Sequence, residues 1–136
     1  MYFLKDDVDN VLDRAFANHL DKIIITGTTL DDSRQLLEVS KKSGKNMFEN
    51  FTIFHKNNLI SLKEKLFITA GVHPTRSNEF VRNPDDYFAS LLKLVQENSE
   101  KVVAIGECGL DYDRLHFCTA DIQKKSESRK FHNYKI

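Results

Sequence analysis

Apolar residues along the chain alternate between two patterns, stripes at helical spacing and short unbroken runs, and this alternation predicts the architecture. Val8, Val11, Leu12, Ala15, Phe16 and Leu20 share one face of a helix, with Asp, Asn and Arg between them, so a helix is expected over about Asp6 to Leu20. Lys22 to Thr26 (KIIIT) is short, rich in β-branched residues, apolar throughout and closed by Gly27. It predicts a parallel strand covered by helices on both faces. Thr29-Leu30-Asp31-Asp32 has capping-box spacing and opens a second helix, to about Lys42. The pattern then repeats. Leu66 to Val72 (LFITAGV) reads as a strand. Asn83-Pro84-Asp85-Asp86 reads as an N-cap, an N1 proline and an acidic first turn, starting a helix with Phe88, Leu91, Leu92 and Val95 on one side. Lys101 to Gly106 (KVVAIG) is the next strand, again ending at glycine.

Strands alternating with amphipathic helices argue for right-handed βαβ units around a parallel sheet, an α/β fold. Two stretches break the rhythm. Gly44 to Lys65 is long for a connection that usually takes about 2–6 residues, and reads as an insertion. Its Phe48, Phe51, Ile53 and Phe54 suit either a short surface helix or a flexible loop. From Ser126 onward, SESRKFHNYKI shows no clear period, so residues 126–136 are expected to form a frayed polar tail behind a domain of residues 1–125.

Composition narrows the function classes. The 136 residues hold twenty Lys or Arg and twenty Asp or Glu, for zero net charge, which excludes a broad basic coat for nucleic acid. Hydrophobic residues at 40% and charged residues at 29% suit one modest core. The acidic start is unlike a signal peptide, and no apolar run approaches the roughly 20 residues of a membrane span. The expectation is a soluble protein of the cytoplasm or nucleus, with no membrane partner. Two cysteines, Cys108 and Cys118, make no disulfide framework and read as reduced thiols.

Ligands of parallel α/β folds bind where the carboxyl ends of the strands converge. Three segments lie at such ends: Gly27-Thr28-Thr29, Gly71 to Arg76 (GVHPTR), and Gly106 to Asp111 (GECGLD). His73 and Glu107, after successive strands, are ordinary ligands for a divalent ion. Arg76 offers a fixed positive charge to a phosphate oxygen. Plainer readings stand beside these. His73 before Pro74 also suits a hydrogen bond to a loop carbonyl. Asp111 suits a turn cap better than an ion site. Thr28 and Thr29 suit helix capping. Cys108 suits a small buried residue better than a nucleophile. Glu107 is hardest to explain structurally, because a carboxylate at a buried strand end needs a partner. His19, His55, His116 and His132 share no metal-ligand spacing.

GVHPT followed by VVAIGECGLDYDR resembles the TatD-type metal-dependent deoxyribonucleases, especially their eukaryotic members. KIIITGTTLDDS and NPDDYFASLLKLV extend the likeness, over about Val8 to Lys42 and Leu66 to Lys124. The resemblance implies a TIM-barrel metallohydrolase that cleaves DNA phosphodiesters with one or two divalent ions, often as a 3′ to 5′ exonuclease. It makes Glu107 the metal-bridging glutamate and His73 the active-site histidine of the G-x-H-P segment. It leaves Arg76 as a phosphate contact, and the ion as Mg, Mn or Zn. A barrel of this kind takes about 250 residues. The chain supplies about three of its strands, a partial TIM barrel, without the opening His-x-His strand or the later histidines and aspartate. A truncated TatD-like hydrolase domain, weak in metal affinity and near background in cleavage, is therefore expected. The alternative is a non-catalytic interaction module, self-associating or pairing with a barrel protein through exposed sheet edges. A complete small flavodoxin-like domain ranks third.

Overall fold

The computed structural model describes residues 8–41, 54–55, 58–59 and 64–133. Helix α1 (Val8–Ala17) leads into strand β1 (Ile23–Thr26) and helix α2 (Leu30–Lys41). Phe54–His55 (β2) and Asn58–Leu59 (β3) pair as a short antiparallel ladder. Strand β4 (Leu66–Ala70) then precedes a 3-10 turn (Pro74–Arg76), helices α3 (Ser77–Arg82) and α4 (Pro84–Glu97), strand β5 (Val102–Ile105) and helix α5 (Ala120–Asn133). Strands β1, β4 and β5 form a parallel sheet in the order β1-β4-β5. The expected parallel α/β core is present. Most of 44–65, where the insertion is expected, lies outside the described residues.

The core lies on one face of this sheet. Leu66, Ile68 and Ala70 alternate inward on β4, as a strand's period of two requires, and Ile68 and Ala70 pack in one cluster with Leu36 and Leu37 of α2 and Leu91 and Leu94 of α4. Each fully buried Leu or Ile contributes roughly 1.5–3 kcal/mol. Phe16 of α1 closes over Leu66 and Ile23.

The opposite face departs from expectation. KIIIT and KVVAIG predict strands covered on both sides, yet Ile24 is 58% and Val103 46% exposed, and Thr26 and Ala104 are exposed too. Among the described residues, helices cover only the face that carries Ile68. Ile68 pairs with Val102 and Thr69 with Ala104, so Val103 is the extra residue of a bulge on β5. Val11 and Leu20, grouped with the inward face of α1, are each 45% exposed.

Two capping expectations resolve differently. Thr29 caps α2 as its spacing predicts, its hydroxyl accepting from the Asp32 amide at 3.0 Å. Asn83 makes no side-chain cap on α4 and instead donates to Asp86. Helix α1 ends in a left-handed residue, His19 (φ 66°). Bonds from the His19 amide to Phe16 O and from the Leu20 amide to Ala15 O complete a Schellman cap.

The predicted frayed tail of residues 126–136 is corrected as far as Asn133, the last three residues lying outside the described ones. Helix α5 runs through position 126 to Asn133 and packs on α3 and α4, with Gln123, Ser126 and Glu127 buried. These positions have helical spacing but are small or polar, so a search for apolar period passes over them.

Candidate active site at the strand ends

The loops after β1, β4 and β5 are stitched together by backbone bonds. The His73 amide donates to Thr28 O at 2.9 Å, the Gly106 amide to Ala70 O at 2.9 Å, and the Glu107 amide to Gly27 O at 3.3 Å. Gly71 makes this approach possible. A Cβ there would lie 2.4 Å from the Gly106 carbonyl carbon and 2.6 Å from Glu107 O. Gly106 has φ +153°, a conformation side chains disfavour.

This scaffold brings His73 and Glu107 together, Nε2 to Oε1 at 3.5 Å. His73 is largely enclosed, with 12% of its side chain exposed, whereas Glu107 is 51% exposed. The imidazole is held from behind. Its Nδ1 accepts from the Thr75 amide at 3.1 Å and lies 2.7 Å from the Thr75 hydroxyl, while His73 caps the 3-10 turn. A neutral ring whose Nδ1 accepts carries its proton on Nε2, so the N–H faces the Glu107 carboxylate. In that tautomer His73 orients Glu107 and has no lone pair to offer an ion.

The remaining candidates are placed less centrally. Arg76 is 55% exposed and its guanidinium faces Glu79, Nε to Oε1 at 3.5 Å. Thr28 donates its hydroxyl to Asp32. Asp111 caps a turn, as its bland reading predicts, with Oδ1 accepting from the amides of Asp113 and Arg114 at 3.1 Å each. Its Oδ2 lies 2.6 Å from Arg114 Nε. Burial pushes the Asp111 carboxyl up, but the amide and guanidinium of Arg114, with the Asp113 amide, outweigh it and hold the group below the ordinary carboxylate value. Cys108, read as a buried residue, is exposed, because the segment after Gly106 leaves the sheet; Cys118 is the buried thiol. Neither forms a disulfide.

Sequence reasoning missed Gln123. It is fully buried, its Oε1 accepts from the Asp111 amide at 2.7 Å, and its Nε2 donates to Asp111 O at 2.9 Å and Cys118 O at 2.8 Å. It thus clamps both ends of the segment that follows Glu107. The one available signal is a glutamine inside an otherwise polar helix.

A hard divalent ion takes about six oxygen-rich ligands. Among the described residues no three His, Cys, Asp or Glu side chains form a metal-holding group. Among the described residues the strand-end segments offer two carboxylates, of which Asp111 is taken up by its turn and Arg114, and the remaining one, Glu107, does not by itself make a site for a tightly held ion. Among the described residues, too, no helix is long and apolar enough to cross a membrane.

Comparison with known proteins shows the family and the fold. The family model for TatD-related DNases matches residues 1–132. A protein named deoxyribonuclease Tat-D from Schizosaccharomyces pombe is 37% identical over 124 residues, covering 88% of this chain and 33% of its own length. A 3′-5′ ssDNA/RNA exonuclease TatD from Enterobacter lignolyticus is 32% identical over 122 residues, covering 90% of this chain and 37% of its own. The chain therefore spans about a third of these curated relatives. In structure it is similar to a TatD-family hydrolase from Entamoeba histolytica, with TM-score 0.69, 37% identity, and coverage of 99% of this chain and 40% of that one. An uncharacterized amidohydrolase from Saccharomyces cerevisiae shares the fold, at TM-score 0.71 and 23% identity, over 97% of this chain and 38% of the other.

Proposed function

Because this chain belongs to the TatD-related DNase family, we propose that it carries part of the active site of a divalent-metal-dependent DNA phosphodiester hydrolase. The observation that supports this is the paired His73 and Glu107 at the carboxyl end of a parallel sheet. Glu107, half exposed, is the metal-contacting carboxylate this chain contributes. His73, enclosed and fixed by Thr75, is its positioning partner in the active-site wall. Arg76 is a candidate phosphate contact. Its surface pair with Glu79 is worth at most about 1 kcal/mol, so the guanidinium is released at little cost. The ion is Mg, Mn or Zn. The setting is intracellular, cytoplasmic or nuclear, in keeping with two cysteines outside any disulfide.

One carboxylate implies weak metal binding, so this chain alone holds Mn²⁺ loosely and cleaves DNA near background. The test pairs Mn²⁺ binding, followed by electron paramagnetic resonance, with release of nucleotides from an end-labelled oligonucleotide. Binding that Glu107→Gln removes supports the assignment; binding that survives it overturns the assignment. Rapid Mn²⁺-dependent cleavage, abolished in Glu107→Gln, would instead show a complete site.

A second reading is an interaction module. Ile24 and Val103 leave one sheet face partly apolar, and β1 and β5 are the edges of the described three-stranded sheet. Self-association in sedimentation supports it, and a concentration-independent monomer counts against it.

A further inference from the structure

Helix α5 is held by a different kind of surface from the helices beside it. Helix α2 buries Leu36 and Leu37, and α4 buries Leu91 and Leu94, whereas the buried side chains described on α5 are Gln123, Ser126 and Glu127. Ile122 is only partly buried. Helix α3, against which α5 packs, buries Ser77 and Phe80, and the Phe80 ring meets Tyr87 of α4 with centroids 5.7 Å apart. The Ser77 and Ser126 hydroxyls are fully buried, and neither has a hydrogen-bond partner among the described residues. A buried hydroxyl without a partner has lost its bonds to water without replacement, so each favours the state in which the two helices separate. Toward α4, Arg129 reaches Asp85 at 3.6 Å, but both side chains are exposed and such a pair holds a helix weakly.

Helix α5 cannot undock and leave the turn before it in place. Gln123 bonds the Asp111 amide, Asp111 O and Cys118 O, so both ends of the segment 111–118 are tied to the helix. Asn78 Nδ2, on α3, also donates to Phe117 O at 3.1 Å, from an exposed position. The residues just before this segment are tied to the sheet instead, through the bonds from the Gly106 amide to Ala70 O and from the Glu107 amide to Gly27 O. The two sets of ties part between Glu107 and Asp111. We propose that the turn 111–118 and α5 form one cooperative unit, a latch that opens from α3 and α4 while the three-stranded sheet stays folded. Its opening frees the chain on the carboxyl side of Glu107 and keeps the bond from the Glu107 amide to Gly27 O. The latch stands whether or not Glu107 contacts a metal.

The test is native-state amide hydrogen exchange of the full chain, read by mass spectrometry at urea concentrations below the unfolding midpoint. After correction for intrinsic rates, peptides from 111–118 and from the first turns of α5 should exchange alike. They should exchange at least about 10-fold faster than peptides of β4 and α2, with a shallower dependence on urea because less surface is exposed. The Cys118 thiol, 2% exposed, lies inside the latch and should react with an aromatic disulfide reagent at a rate with the same shallow urea dependence. Ser77→Ala and Ser126→Ala each remove an unbonded hydroxyl and should slow exchange roughly 5-fold or more, in α5 and in the turn together. Exchange of the turn and α5 at the rate and urea slope of β4 would overturn the proposal. So would fraying confined to the last turn of α5, with 111–118 and Cys118 still protected. Unchanged or faster exchange in both serine variants would also overturn it, since the seam between α3 and α5 would then be fully bonded. Circular dichroism of each variant checks that the fold is kept.

Discussion

Gln123 offers the sharpest test of how the segment beyond Glu107 is held. Gln123→Leu keeps the volume of a fully buried side chain but removes its bonds to the Asp111 amide, Asp111 O and Cys118 O. A buried polar group left without a partner costs about 1–3 kcal/mol. Asp111 is only partly buried, so water can reach some of its backbone, and we expect a net loss of about 2–4 kcal/mol. With a urea slope of about 2 kcal/mol per molar, the midpoint should fall by about 1–2 M in an unfolding curve followed by circular dichroism. A local readout separates the turn from the rest. Cys118 is 2% exposed while Cys108 is exposed, so an aromatic disulfide reagent should titrate one thiol promptly and the second slowly. Gln123→Leu should speed the slow thiol. A midpoint shift below about 0.3 M with unchanged thiol kinetics would refute the clamp.

Gly71→Ala would drive a Cβ into the Gly106 and Glu107 backbone, so it should cost about 1–3 kcal/mol in urea unfolding and reduce Mn²⁺ affinity along with stability. Tyr87 accepts the Leu30 amide on its hydroxyl at 2.7 Å, and Tyr87→Phe should lose about 1–3 kcal/mol by leaving that amide buried and unbonded. Burial raises the Tyr87 pKa. The unfolded chain therefore ionises from about pH 10 while the native state keeps its proton, and stability should fall as pH rises past that point. Urea midpoints compared at pH 8 and above 10 should show Tyr87's share of that fall absent from Tyr87→Phe. His19→Gly should relieve a left-handed non-glycine residue and raise stability by up to about 1 kcal/mol, with no change at the strand ends.

Much of this fold is legible in the sequence because burial imposes a period. Leu36, Leu37, Leu91 and Leu94 recur at helical spacing since one face of each helix meets β4. His73 and Glu107 are legible for a different reason, that loops after parallel strands converge. What is not legible depends on contacts no single segment contains. KIIIT looks the same whether one or both faces are covered, and only assembly shows Ile24 in solvent. Helix α5 buries glutamine, serine and glutamate, so its inward face lacks an apolar stripe and reads as a tail. Cys108 has the size of a core residue but sits where the chain leaves the sheet. The tautomer of His73 follows from Thr75, a neighbour whose role appears only once the 3-10 turn has formed.

The central claim is that this chain contributes Glu107 as a single metal-contacting carboxylate, and urea unfolding of the intact chain with and without millimolar Mn²⁺ tests it most directly. A ligand that binds only the native state stabilises it by an amount set by its concentration over its dissociation constant. One carboxylate should give a dissociation constant on the order of millimolar, and hence a stabilisation of about 1 kcal/mol or less in a few millimolar Mn²⁺, absent from Glu107→Gln. A stabilisation of several kcal/mol, or one that persists in Glu107→Gln, would contradict the account.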